Sequence, residues 1–323
     1  MTTAQAAGAV SSEATEWYAI DWQTIHRQVR RLQVRIAQAT KQSRWGNVRA
    51  LQHLLTHSYS GKVLAVRRVT ENDGKKTPGV DQEIWDTPEK KTQAAHELKR
   101  RAINLSPSDA SISPSRTAKR CARSESPPMK DRAQQALHLL ALDPVAETTA
   151  DKNSYGFRQQ RSCADAIQQC FNALRVATTQ WILEGDIKSC FDAISHDWLL
   201  AHVPTDRAIL QKWLKAGYME KHVLHETTEG TPQGGIISAA HANCALDGLE
   251  RVLRENYPSR TRLKSLGDKL PSLNFIRYAD DFIITSKSKE LLEREIKPLV
   301  EQFFQKRGLG LSPTKTVITH FRM

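Results

Sequence analysis

The chain has 323 residues, 47 Lys and Arg against 35 Asp and Glu, and a formal net charge of +12. It carries no apolar run of about twenty residues, signal peptide or lipidation signal, which argues against a membrane class and leaves a soluble, cytoplasmic chain as the expectation. The five cysteines, Cys121, Cys163, Cys170, Cys190 and Cys244, show no CxxC spacing, so neither a zinc ribbon nor a disulfide framework is expected, and they are read as reduced.

Residues 1–20, rich in Ala, Thr and Ser, read as a disordered leader. A helix fits Trp22 to Ala39, with Trp22, Ile25, Val29, Leu32 and Ile36 at spacings of three and four. Arg27, Arg30, Arg31 and Arg35 fall mostly off that stripe, where they are placed to meet RNA while the apolar residues enter a core. A second helix is expected from Val48 to His57, after Trp45-Gly46. His53 and His57 lie at the i, i+4 spacing of a metal pair, but no third ligand is near and the pair reads as an ordinary helix face. Val66 to Thr70 and Gly74 to Asp81 read as a Gly- and Pro-punctuated loop carrying Arg67, Arg68, Lys75 and Lys76. From Arg27 to Arg101 there are seventeen basic and seven acidic residues, ten of the chain's net +12. A polyanion is the natural counterpart of such a surface, since each phosphate neutralised releases counterions.

Two short β-rich runs end in carboxylates. Trp181 to Asp186 is one, and Leu273 to Ile276 with Phe282 to Ile284 flank Tyr278-Ala279-Asp280-Asp281 as the two arms of a hairpin. Carboxylates offered from adjacent strands suit two Mg²⁺ ions about 4 Å apart, one activating a 3′-hydroxyl and one holding a triphosphate. Mg²⁺ takes hard oxygen ligands and keeps several waters, so two or three carboxylates suffice. An isolated Asp-Asp pair is more often a solvated turn. Here it follows, in order, Ser154-Tyr155-Gly156-Phe157-Arg158, Asp186 to Asp192 and Gly230-Thr231-Pro232-Gln233-Gly234-Gly235, and it precedes Leu309-Gly310-Leu311-Ser312.

In this order the series resembles group II intron reverse transcriptase/maturases, from about Asp21 to the end of the chain. The resemblance implies an α+β fold with polymerase palm and fingers, an antiparallel palm sheet backed by helices near Asp165 to Arg175 and Leu291 to Lys306, and a helical basic N-terminal extension. It divides the chain into an RNA-binding extension at 21–95, fingers at 96–180 and palm at 181–323. The matching catalytic residues are Asp186, Asp280 and Asp281, and the matching metal positions are Asp186, Ile187, Asp280 and Asp281, for two Mg²⁺ with Mn²⁺ as a substitute. Phe191 matches the bulky residue under the incoming sugar that excludes a 2′-hydroxyl. Pro232, Gln233, Gly234 and Gly235 match the substrate loop, and Lys315 the lysine near the triphosphate. The implied partners are group II intron RNA, an RNA template with DNA primer, and dNTPs. The basic residues at 27, 30, 31, 35, 67, 68, 75 and 76 match an extension that contacts structured intron RNA.

Two departures stand out. Ala102 to Pro128 is Ser- and Pro-rich, lacks strand alternation and reads as a disordered loop where the family has an aromatic, basic fingertip hairpin. The motif resumes at Met129-Lys130-Asp131-Arg132-Ala133 at nearly the expected distance, so length is kept while identity is lost, the mark of paired frameshifts. The chain also stops at Met323, before the family's thumb, DNA-binding and endonuclease segments. Three readings follow: an RNA-directed DNA polymerase, impaired as it stands; an RNA-binding maturase module that does not polymerise; and an inactive remnant of an intron reading frame.

Overall fold

The computed structural model describes residues 12–72, 77, 83–98, 108–114, 121–175, 181–216, 218–220, 223–225, 229–231, 235–257 and 273–321. In chain order the first elements are α1 (Ser12–Tyr18), α2 (Trp22–Lys41), α3 (Trp45–His57), α4 (Tyr59–Glu71), α5 (Pro88–Glu97), β1 (Ser108–Pro114), β2 (Cys121–Ser126) and α6 (Met129–Thr149). Next come α7 (Cys163–Leu174), β3 (Trp181–Asp186), α8 (Cys190–Ala193), α9 (His196–His202), α10 (Arg207–Lys215), β4 (Tyr218–Glu220) and β5 (Val223–His225). The last are α11 (Ser238–Leu246), α12 (Leu249–Asn256), β6 (Asn274–Tyr278), β7 (Asp281–Ser286), α13 (Lys289–Leu291), a π turn (Leu292–Ile296), α14 (Lys297–Gln305) and β8 (Val317–His320). They form two compact units, one of residues 1–144, 215–226 and 234–237, the other of 145–214, 227–233 and 238–323.

The first unit is built on helices. Asp21 caps α2 by accepting from the main-chain N–H groups of Gln23 and Thr24, and Ile25, Val29 and Ile36 go into the core as their spacing predicts. α3 starts at Trp45, three residues ahead of expectation. Two sequence readings are overturned here. Val66 to Thr70, read as loop, belong to α4, whose Val63, Val66, Val69 and Thr70 are buried at helical spacing; the turn-forming residues that prompted the loop reading begin only beyond the helix end. Within the stretch read as a disordered leader, Ser12–Tyr18 is helical and packs on α5. Trp17 is buried there and meets Trp22 edge-on at 5.3 Å, and Thr92 Oγ1 donates to the Glu13 carbonyl at 2.9 Å. One buried Trp with a polar anchor orders a segment whose composition alone gives it no reason to fold.

α6 carries Pro144 in its interior. Proline has no N–H to offer the carbonyl four residues back, so Leu140 loses its helical donor. The side-chain amide of Gln33 supplies it at 2.9 Å, and Gln52 donates to the neighbouring Ala141 carbonyl at 3.1 Å. The proline thereby anchors α2 to α6, and Gln52 adds a second tie from α3. The sheet of this unit has the order β2-β1-β4-β5, with β1 and β2 antiparallel from Asp109↔Ser126 to Pro114↔Cys121 and β1 parallel to β4. This corrects the loop expected across Ala102 to Pro128. Strand pairing uses main-chain groups that every residue except Pro supplies, and side-chain propensity is a weak guide to it.

The second unit holds an antiparallel sheet of order β6-β7-β3-β8, in the α+β class expected. α7 opens with a capping box between Ser162 and Asp165 and packs on β6; the π turn packs on β3. Leu183, Phe275, Ile284, Leu292, Ile296, Val300 and Phe304 make the buried core. Gly185 and Phe282 are register partners, and a Cβ on Gly185 would lie 2.1 Å from Phe282 Cζ. The ring cannot give way, because it is buried and flanked by Phe275 at 6.3 Å and Phe304 at 5.8 Å. Gly185→Ala is expected to lower unfolding free energy by about 2 kcal/mol in urea denaturation, the range for an overpacked core.

Candidate functional site

β6 and β7 pair from Asn274↔Thr285 to Tyr278↔Asp281, leaving Ala279 and Asp280 as the tip. Ala279 takes φ +55°, a left-handed conformation that costs a non-glycine residue on the order of 1 kcal/mol. Two contacts hold it there. Arg277 Nη1 donates to the Ala279 carbonyl at 2.9 Å, and Gly156 lies so close that a Cβ on it would be 2.2 Å from Ala279 N.

β3 pairs with β7 so that Asp186 lies directly opposite Asp281, and Asp280 sits at the adjoining tip. Burial raises the Asp281 carboxyl above its ordinary range, and the negative charges of Asp280 and Asp186 add to the effect while Lys315 offsets it. Cys190, at the start of α8, is pushed up to about 12 by burial and then by Asp280. The three carboxylates therefore feel one another. Among the described residues no group of three or more His, Cys, Asp or Glu side chains is arranged as a metal cage. Lys315 Nζ instead stands 3.1 Å from Asp186 Oδ1. Its segment is laced to the end of β3: Ser312 N donates to the Asp186 carbonyl at 2.8 Å, Lys188 N to the Gly310 carbonyl at 2.9 Å, and Ile187 bridges Leu311. The Ile187 side chain is hydrocarbon and buried, and its main-chain oxygen is the atom that could serve a cation.

Phe191 lies in α8 after Ser189, which takes φ +48°. Its ring meets that of Phe157 edge-to-face, with centroids 6.2 Å apart and planes at 79°. Its carbonyl accepts from Thr231 N at 2.7 Å, and the Ile194 carbonyl accepts from Gly230 N at 2.8 Å, so the entry to the Pro232 loop is tied to α8 through main chain. Pro232, Gln233 and Gly234 themselves lie outside the described residues; Gly235, in the first unit, is half-buried.

The basic candidates divide. Arg27, Arg30, Arg31 and Arg35 are all exposed on α2, and Arg68 on α4. Arg67 is engaged, its guanidinium 4.4 Å over the Trp22 ring and its Nε 2.8 Å from Glu71. Lys75 and Lys76 lie outside the described residues. His53 and His57 stack at 3.8 Å, and His57 Nδ1 lies 2.8 Å from the His53 carbonyl oxygen.

Sequence reasoning missed the charged group beneath the acidic tip. Arg277, fully buried in β6, donates to Asp247 Oδ1 at 2.5 Å and to Asn243 Oδ1 at 3.0 Å. Asn243 in turn donates to the Gly156 carbonyl at 3.0 Å. Arg158 grips Glu147 through Nε at 2.9 Å and Nη2 at 2.6 Å, and its Nη1 donates to the carbonyls of Asp151 and Ser154. Asp151 accepts from Gly248 N and Glu250 N, yet burial and then Asp247 push its carboxyl up to about 6. One signal is present in the sequence: an arginine in the apolar run of β6 must find an anion.

A family model described as the N-terminal domain of reverse transcriptase matches residues 17–98, and one described as reverse transcriptase (RNA-dependent DNA polymerase) matches residues 120–322. The chain is 30% identical over 249 residues to the group II intron-encoded protein LtrA of Lactococcus lactis subsp. cremoris, across 60% of this chain and 41% of LtrA. It is 29% identical over 240 residues to an uncharacterized 91 kDa protein in the cob intron of Schizosaccharomyces pombe, across 59% and 30% of the two chains. With protein YkfC of Escherichia coli it shares 29% over 225 residues, across 60% and 58%. The chain thus spans between 30% and 58% of the length of these relatives.

Arg277→Met is expected to destabilise the second unit by about 4 kcal/mol, because Asp247 would be left as an uncompensated buried charge; chemical denaturation measures it. Asp151 gives a pH signature. With its pKa raised from 3.8 to about 6 in the folded state, it contributes stability that is complete below about pH 4 and is lost as pH climbs through 6. The loss amounts to about 3 kcal/mol. Denaturation of Asp151→Asn from pH 4 to 7.5 should show that slope flattened, and an unchanged slope would place the titration elsewhere.

Proposed function

The chain belongs to the reverse transcriptase (RNA-dependent DNA polymerase) family, and from that premise we propose that it copies RNA into DNA as a group II intron enzyme, using Asp186, Asp280 and Asp281. What carries the reading is the register that sets Asp186 against Asp281 with Asp280 at the adjoining tip. Enzymes of this family generally use divalent metal ions, and the donor set fits them. Three hard carboxylates crowd one strand end, where burial and then the charges of Asp280 and Asp186 raise the Asp281 carboxyl, and a cation would offset both. Mg²⁺ needs only one or two carboxylates besides waters and substrate phosphates, so a protein cage is not required. Asp186, Asp280, Asp281 and the Ile187 carbonyl would hold two Mg²⁺, or Mn²⁺ in their place, which supply an activated 3′-hydroxyl and a stabilised pyrophosphate leaving group.

The remaining roles fall to this chain's own side chains. Phe191 would lie under the sugar of a dNTP and leave no room for a 2′-hydroxyl. The Pro232 to Gly235 loop, reached through the tether of Thr231 to Phe191, would line the nucleotide and template base. Lys315 balances Asp186 in the structure, and a triphosphate would draw its ammonium group. Template RNA is the coarse partner of the family. Intron RNA as a second partner is supported by the exposed Arg27, Arg30, Arg31 and Arg35, which lie along one helix like a row of phosphate contacts.

The test is primer extension on a primed RNA with Mg²⁺ and dNTPs, run beside intron RNA binding. Asp280→Asn is expected to cut DNA synthesis by about a hundredfold or more while leaving RNA affinity unchanged. Synthesis that survives the substitution would overturn the carboxylate assignment. Intron splicing assisted equally by the native and Asp280→Asn chains, with no synthesis by either, would favour an RNA-binding maturase role alone.

A further inference from the structure

Phe157 is placed at odds with stability. It takes φ +57°, a conformation rare for a bulky side chain, and its ring is 62% exposed. A glycine would take the same φ without strain, and a polar residue would suit the exposure better. The main chain on both sides is fixed by contacts that have nothing to do with the ring. Gly156 is held by Asn243 and by the close approach of Ala279, and Arg158 is buried among Glu147, Asp151 and Ser154. The scaffold therefore forces Phe157 into its conformation and aims its ring at one described aromatic, Phe191, in the edge-to-face geometry that aromatic pairs prefer. Strain retained where the surroundings over-determine it is a mark of function.

We propose that Phe157 is a positioning residue that fixes the ring of Phe191 and so sharpens discrimination between deoxyribose and ribose. This rests on the reading of Phe191 as the residue beneath the sugar. The pair acts as a wall of two rings: Phe191 meets the sugar, and Phe157 denies Phe191 the rotation that would open space for a 2′-hydroxyl.

The measurement is equilibrium binding of dATP and of ATP to the chain with a primed RNA template and Ca²⁺, so that affinity is read without turnover, beside the thermal midpoint of each variant. Phe157→Gly is expected to leave the midpoint unchanged or raise it, since the strain is relieved, and to reduce the preference for dATP over ATP by about tenfold. Phe157→Tyr keeps the ring edge and should retain the preference. A midpoint lowered by several degrees in Phe157→Gly would make the ring a packing element and overturn the inference. Phe191→Ala separates the two levels. If it abolishes the preference while Phe157→Gly does not, the positioning role fails and the sugar-facing role of Phe191 stands. If Phe191→Ala has no effect, or the native chain shows no preference, the sugar-facing reading fails and the inference with it.

Discussion

The acidic tip depends on a buried arginine. Arg277 is fully enclosed in β6, its guanidinium held by Asp247, Asn243 and the Ala279 carbonyl, while its own main chain bonds to Asn153 and Tyr155 on the neighbouring segment. Its Nε has no hydrogen-bond partner among the described residues, which adds to an already large desolvation cost. An apolar residue of similar volume would be easier to bury. It could not reach the Ala279 carbonyl and Asp247 together, and so could not fix the tip in its left-handed conformation. The same enclosure acts on the acids around it: burial, and after it the charge of Asp247, keeps the Asp151 carboxyl at about 6 while Arg277 pulls it down.

Of five non-glycine residues with positive φ among those described, Phe157, Gln160, Ser189 and Ala279 belong to the second unit and only Ser43 to the first. Three of them, Phe157, Ser189 and Ala279, lie beside Phe191 or in the acidic tip. In the first unit Asp21, Ser58 and Thr87 cap helices, and a helix-breaking proline is met by a glutamine amide. Exposed charges sit well on regular helices, whereas the acidic tip and Phe191 are placed by backbone that regular structure does not provide.

That contrast also governs what the sequence disclosed. The α2 stripe, the β3 and β6–β7 strands and the acidic tip were legible because each signal is local: spacing of three and four, a short β-rich run ending in an acid, a turn between two apolar runs. The helix at Ser12–Tyr18 was not, since its order comes from Trp17 meeting Trp22 and α5. Val66 to Thr70 were misread because turn formers just beyond them outweighed a helical spacing already present. The pairing of 108–114 with 121–126 was hidden by Ser and Pro, which say little about main-chain ladders. The Arg277 group was the least accessible, since Asp151 and Glu250 stand 99 positions apart and Gly156 and Asn243 stand 87 apart. Pattern reading along a chain does not register such separations.

The lacing of Asp186 to the segment around Lys315 sets an order of assembly. The two residues are 129 positions apart, and the acid end of β3 draws both a main-chain partner, Ser312, and a countercharge from that late segment. At the ordinary pace of synthesis the ribosome adds that much chain in roughly ten seconds. Throughout that interval Asp186 has neither, and Asp280 and Asp281 exist for only the last part of it. The carboxylates therefore reach their final arrangement only after residue 315 has been made, long after the helices that carry Arg27, Arg30, Arg31 and Arg35.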